Sequence, residues 1–98
     1  VSFDLFFTDR AAADLDALEA DCALSKRLKA VRKALGLLET NPGHPGLHTH
    51  KFNSLKGPGG TEVFEVYAEN TPPAAWRIFW HYGPDKKQIT ILTITRHP

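Results

Sequence analysis

A single cysteine, Cys22, is all that this sequence of 98 residues contains, which excludes an intramolecular disulfide. A reducing compartment is the simplest reading. An excess of one charge is missing too. Twelve Lys and Arg stand against eleven Asp and Glu, and a formal net charge of +1 does not by itself call for a polyanionic partner. No apolar run approaches the ~20 residues of a membrane-spanning helix. The opening VSFDLFF is too short for the apolar centre of a signal peptide and is interrupted by Asp4. A soluble cytoplasmic protein is therefore the expectation, and the first residue, Val1 rather than Met, leaves room for sequence ahead of it. Repeats, low-complexity tracts and interdomain linkers are all lacking. One domain over 1–98 is expected, able to bury roughly 65% of its unfolded surface.

What charge there is, is segregated. Residues 1–24 carry Asp4, Asp9, Asp14, Asp16, Glu19 and Asp21 against Arg10. Residues 25–58 reverse this, with five bases between Lys26 and Lys33, then Lys51 and Lys56, against Glu39. An acidic and a basic segment side by side make either an intramolecular pair or two partner surfaces. The Lys26–Lys33 cluster reads as a solvated helix face or as a nucleic-acid contact.

The last quarter organises the chain. WRIFWHY and QITILTITRHP flank a Gly-Pro-Asp turn, a strong hairpin signal. Strand alternation puts Trp76, Ile78, Trp80 and Tyr82 on one face and Arg77, Phe79 and His81 on the other. In the second run Leu92 and Ile94 are expected on the core side, opposite Thr93, Thr95 and His97. Upstream, SFDLFF reads as a strand with Phe3, Leu5 and Phe7 on one face. Thr8 is a candidate N-cap for a helix over 9–23, whose apolar stripe is Leu15, Leu18 and a buried Cys22. Ser25 is expected to cap a second helix, through about Glu39, with Leu28, Val31, Leu35 and Leu38 turned inward. Asn41-Pro42-Gly43 ends it. The segments 50–55 and 62–69 complete the strands, the latter alternating Phe64, Val66 and Ala68 with Val63, Glu65 and Tyr67. The order β-α-α-β-β-β-β describes an α+β domain, with a helical hairpin packed on one face of a mostly antiparallel sheet.

That order resembles the RelE/ParE family of toxin–antitoxin toxins. LLETNPGHPGL resembles the family's second helix and its Asn-Pro break, HKFNSLKG its basic strand, WRIFWHY its arginine-bearing strand and ITILTITRHP its last strand near a histidine. The resemblance implies a bacterial endoribonuclease that cleaves mRNA on the ribosome through the ribose 2′-OH and so inhibits translation. It implies no metal or cofactor, and a cognate antitoxin as partner. Such chemistry needs a base for the 2′-OH, a cation for the phosphate and an acid for the leaving 5′-oxygen. By position, Arg77 matches the strand arginine, and a planar guanidinium suits bidentate phosphate contact. His97 matches a terminal acid or base, and Lys51 or Lys56 matches the basic strand. Where members carry arginine or lysine on the third strand, this chain has Glu65, Tyr67 and Glu69. Glu65 is then a candidate base, and Tyr67 a residue to stack or to hold a proton. His81 and Arg96 complete the RNA-binding candidates.

Competing readings come from the same residues. Arg77 can pair with Glu65 or Glu69 across neighbouring strands. The set His44, His48 and His50, of which His48 and His50 share a face if extended, suggests metal ligation, but no Cys, Asp or fourth histidine joins them locally. Trp76, Trp80 and Tyr82 serve either as core or as base-stacking platforms. The acidic third strand fits a binding module on the same scaffold, such as a gyrase inhibitor of the ParE branch, and a non-toxic regulatory protein is the third possibility.

Overall fold

The computed structural model describes residues 2–69 and 75–96. Its elements are β1 (Asp4–Phe7), α1 (Asp9–Ala20), α2 (Ser25–Thr40), β2 (His50–Lys56), β3 (Glu62–Tyr67), β4 (Trp76–Tyr82) and β5 (Gln88–Arg96). The strands form one mixed sheet in the order β1-β5-β4-β3-β2. β2 to β5 are antiparallel neighbours, as expected for successive hairpins, and β1 joins β5 in parallel. Among the described residues no helix is long and apolar enough to cross a membrane.

Both helices lie on one face. Ala11 and Leu18 of α1 and Val31, Ala34, Leu35 and Leu38 of α2 meet Val66, Ile78, Trp80, Ile89, Ile91 and Ile94 of the sheet. Trp80 and Ile78 are wholly buried, so the aromatic face of β4 is core rather than a stacking platform. Tyr82, at the strand's end, remains half exposed. The expectation that Leu92 joins this core is overturned. Trp80 pairs with Ile91 and Phe79 with Thr93, so Leu92 is the extra residue of a β-bulge. The bulge shifts the alternation, and Ile89, Ile91 and Ile94 all reach the helices, leaving Leu92 part exposed.

α1 fastens that bulge. The Thr8 hydroxyl accepts the amide of Ala11 (3.1 Å), the N-cap bond the sequence suggests, and donates to the Leu92 carbonyl at 2.8 Å. One turn on, Asp14 Oδ2 accepts the Ile94 amide (2.9 Å) and the Thr93 hydroxyl (2.8 Å). A bulge disrupts its ladder, and here side chains of the neighbouring helix take up the released groups.

Three expectations at the helical corner are corrected. α1 stops at Ala20, and residues Cys22–Leu24 form a short 3₁₀ turn. The Asp21 carboxylate accepts from the Ala23 amide, so Asp21 caps this turn and α2 starts from it without a side-chain cap from Ser25. The break turns Cys22 off the apolar stripe, and the thiol is exposed.

Candidate functional site

The face of the sheet away from the helices carries Glu65 and Tyr67 from β3, Arg77, Phe79 and His81 from β4 and His50 and Phe52 from β2. Register decides this set. His50 stands opposite Glu65, Glu65 opposite Phe79, and Tyr67 opposite Arg77. Directly opposed residues share a face.

Glu65 is the centre of the cluster and is 1% exposed. Its Oε1 lies 2.6 Å from Nε2 of His50, and its Oε2 lies 3.9 Å from Nε of Arg77. The second distance is an ion pair but too long for a hydrogen bond. Arg77 is 6% exposed, and its Nη1 donates to the carbonyls of Glu69 (2.6 Å) and Trp76 (3.1 Å). The Tyr67 ring lies 3.6 Å from the guanidinium carbon, a cation–π stack. A buried carboxylate persists only with such company, because desolvating an unpaired charge is costly.

His50 is half exposed and engaged at both ring nitrogens, since Nδ1 meets the His48 carbonyl at 2.7 Å. His48 follows the Pro45–Leu47 turn in a left-handed conformation, φ 51° and ψ 43°. Its own ring lies 4.8 Å from that of Tyr67 at 30° between planes, and the His50 ring meets Tyr67 edge-on at 6.0 Å.

Among the residues named from sequence, Glu65, Tyr67 and Arg77 converge. His81 shares their face but is 6% exposed, with Nδ1 on the Tyr82 carbonyl (2.9 Å) and the β2–β3 connection beside it. A Cβ on Gly57 would stand 3.2 Å from the His81 ring, so glycine is what lets the two pack. Lys51 pairs with Phe64, whose ring stacks on Trp80, and Lys56 pairs with Glu62, to which it is ion-paired at 3.2 Å. Arg96 pairs with Trp76, over which Arg27 of α2 lies at 4.7 Å. All three bases therefore register on the helix side of the sheet, away from Arg77. His97 falls outside the described residues.

His48 and His50 are the residues that sequence reasoning passed over. Their shared spacing was legible, but it pointed to a metal, and their actual partners, Glu65 and Tyr67, come from another strand. The basic cluster of α2 is divided. Arg27 pairs with Glu69 (2.7 Å) and Arg32 with Glu19 (2.9 Å), whereas Lys26, Lys29 and Lys33 point to solvent. Beside α2 lies a cavity of about 300 Å³, lined by Ala30, Lys33, Ala34 and Leu37, by His44, Gly46 and Leu47, and by Tyr67 and Ala68.

The structure was compared with solved structures. It superposes on a chain of the archaeal RelE–RelB complex from Pyrococcus horikoshii, with a TM-score of 0.66 and 14% identity, covering 98% of this chain and 96% of that one. The fold is that of the RelE-type toxins. A YoeB/ParE toxin from Agrobacterium tumefaciens gives a TM-score of 0.72 at 11% identity, over 98% of this chain and 100% of that one. A chain of the Escherichia coli DinJ–YafQ toxin–antitoxin complex gives 0.64 at 15%, over 99% and 94%. No protein-family model matches the sequence, and no curated protein sequence matches it. The RelE-type scaffold thus stands here with little of any neighbour's sequence, and the chemistry has to be argued from the side chains present.

Proposed function

We propose that this chain is the toxin of a toxin–antitoxin pair and that it cleaves mRNA on the ribosome by activating the ribose 2′-OH. The observation that carries the reading is the cluster on the open face of the sheet. A buried carboxylate, a histidine, a tyrosine and a guanidinium lie in mutual contact around Glu65. Titratable groups with fixed partners on a surface that no helix covers among the described residues are what proton transfer at a phosphodiester needs. Arg77 carries the charge that favours a phosphate nearby, and the Tyr67 ring, with Arg77 and His48 against it, holds that cation in place. His97 and Lys51 or Lys56 remain candidates for proton transfer and RNA positioning on the grounds of the family resemblance. The fold shared with a chain of the DinJ–YafQ toxin–antitoxin complex supports an antitoxin as partner. An apolar segment of that partner suits the cavity beside α2.

A second reading is favoured by the burial of Arg77. A guanidinium that is 6% exposed beneath Tyr67 fits a structural strut, and the scaffold then serves as a binding module, of which a gyrase inhibitor is one form. Cell-free translation with the purified protein separates the two. New mRNA 5′ ends on stalled ribosomes, lost in a Tyr67→Ala variant whose fold is checked by circular dichroism, support the nuclease. Undisturbed translation and intact message sink it and direct attention to gyrase supercoiling.

A further inference from the structure

Of the two histidines at this site, one has both ring nitrogens bound and the other has neither bound among the described residues. His50 is clamped between the Glu65 carboxylate and the His48 carbonyl. The His48 ring makes no hydrogen bond among the described residues, is exposed, and is held against Tyr67 by stacking alone. We infer that His48 is the imidazole that takes the proton in the cleavage reaction, and that His50, anchored by Glu65, is the positioning residue that aims it.

The geometry runs outward in three steps. Glu65 is fixed in the sheet and fixes Nε2 of His50. Nδ1 of His50 then donates to the His48 carbonyl, restraining that peptide. With φ at 51°, the His48 side chain leaves the strand direction and lies on Tyr67. A left-handed backbone is uncommon in a residue with a side chain, and such positions concentrate at functional sites. The 3₁₀ turn ahead of it accounts for the backbone, but a glycine would serve the turn as well. The imidazole is the part that the turn does not explain.

The inference rests on the nuclease reading. In the step it describes, a ring nitrogen of His48 takes the 2′-OH proton while the 2′-oxygen bonds to the adjacent phosphorus. The bond from phosphorus to the 5′-oxygen breaks, that oxygen takes up a proton from solvent, and His48 returns its own to solvent. The products are a 2′,3′-cyclic phosphate and a 5′-hydroxyl, with no net gain or loss of protons. Arg77 keeps its place under Tyr67, and Glu65 does not itself meet RNA, since it is buried and already bound to His50.

The decisive variant is His48→Gly, which suits the left-handed backbone and removes only the ring. Cleavage of message on programmed ribosomes is timed for the native chain, for this variant with and without added imidazole, for His50→Phe and for the double variant. The expected loss in His48→Gly is about 10²- to 10⁴-fold, the range for a lost general base, with a substantial part restored by imidazole. His50→Phe slows the native chain but adds nothing in the His48→Gly background, because a positioning residue acts only through the group it positions. Native-like cleavage by His48→Gly, or a loss that imidazole leaves untouched, overturns the inference and leaves the nuclease reading standing. A native chain that cuts no message overturns both.

Discussion

Tyr67 covers Arg77, with the guanidinium carbon 3.6 Å from the centre of the ring. The stack connects β3 to β4 at a register pair, Tyr67 opposite Arg77, and stabilises a cation removed from most of its water. Replacing Tyr67 by Phe keeps the π-face and is expected to leave the urea midpoint near that of the native chain. Tyr67→Ala removes the stack, worth about 0.5–2 kcal/mol, along with the ring's packing. Equal midpoints for the alanine variant and the native chain would show that the stack contributes nothing.

Arg77 and Glu65 make a second test of the same cluster. Breaking a buried pair typically costs about 3–5 kcal/mol, because the remaining charge is left without its partner. Here Glu65 keeps His50, so Arg77→Met is expected near the lower end of that range. Combining it with Glu65→Leu removes both charges, and the double variant is expected to be more stable than Arg77→Met alone. A double variant that falls further, by the sum of the single losses, refutes coupling between the two groups. An Arg77 variant with no activity is thus not by itself a sign of catalysis, since the same change weakens the fold.

Asp14 stabilises the bulge of β5 by accepting the Ile94 amide and the Thr93 hydroxyl. Asp14→Ala leaves both donors without that acceptor, at a cost of about 1–3 kcal/mol. The loss should appear in thermal unfolding, with Asp14→Asn retaining part of it through its carbonyl oxygen. Unchanged melting for Asp14→Ala would mean that water replaces the carboxylate at no cost.

Cys22 offers the simplest check of the helical corner. An exposed thiol reacts with a disulfide reagent in the folded state, with no need for unfolding. Full labelling of the native protein in buffer, at a rate that denaturant raises little, is expected. Protection until the protein unfolds would restore the longer first helix with Cys22 on its apolar stripe.

Much of the fold was legible. The aromatic alternation of β4, the apolar stripes of the helices and the Thr8 cap depend on residues close in sequence, and local periodicity reports them faithfully. Three things were not. Leu92 was misplaced because a bulge changes the period of a strand without leaving a mark in its composition. Cys22 was misplaced because α1 ends at a carboxylate-capped turn rather than at a glycine or proline. The site was misread at β2, where the register shifts between the Lys51 and Lys56 pairs. Continued from Lys56 opposite Glu62 without that shift, the hairpin would set Asn53 opposite Glu65, since both pairs sum to 118. With the shift, His50 stands there, and Lys51 is turned to the other face.

The sequence by itself determined the elements, their order and which faces of α1, α2 and β4 are buried, because each follows from patterning within one segment. It also supplied Glu65 and Tyr67 as polar members of one face of β3 and Arg77 and His81 as those of one face of β4, and strand pairing is what brings the two sets together. Only the tertiary structure decided which bases join them. Strand pairing sets which residues share a face, and one irregularity in an edge hairpin exchanges Lys51 for His50 on the face of the buried carboxylate. That exchange lies in the relation between two strands, where no single stretch of sequence records it.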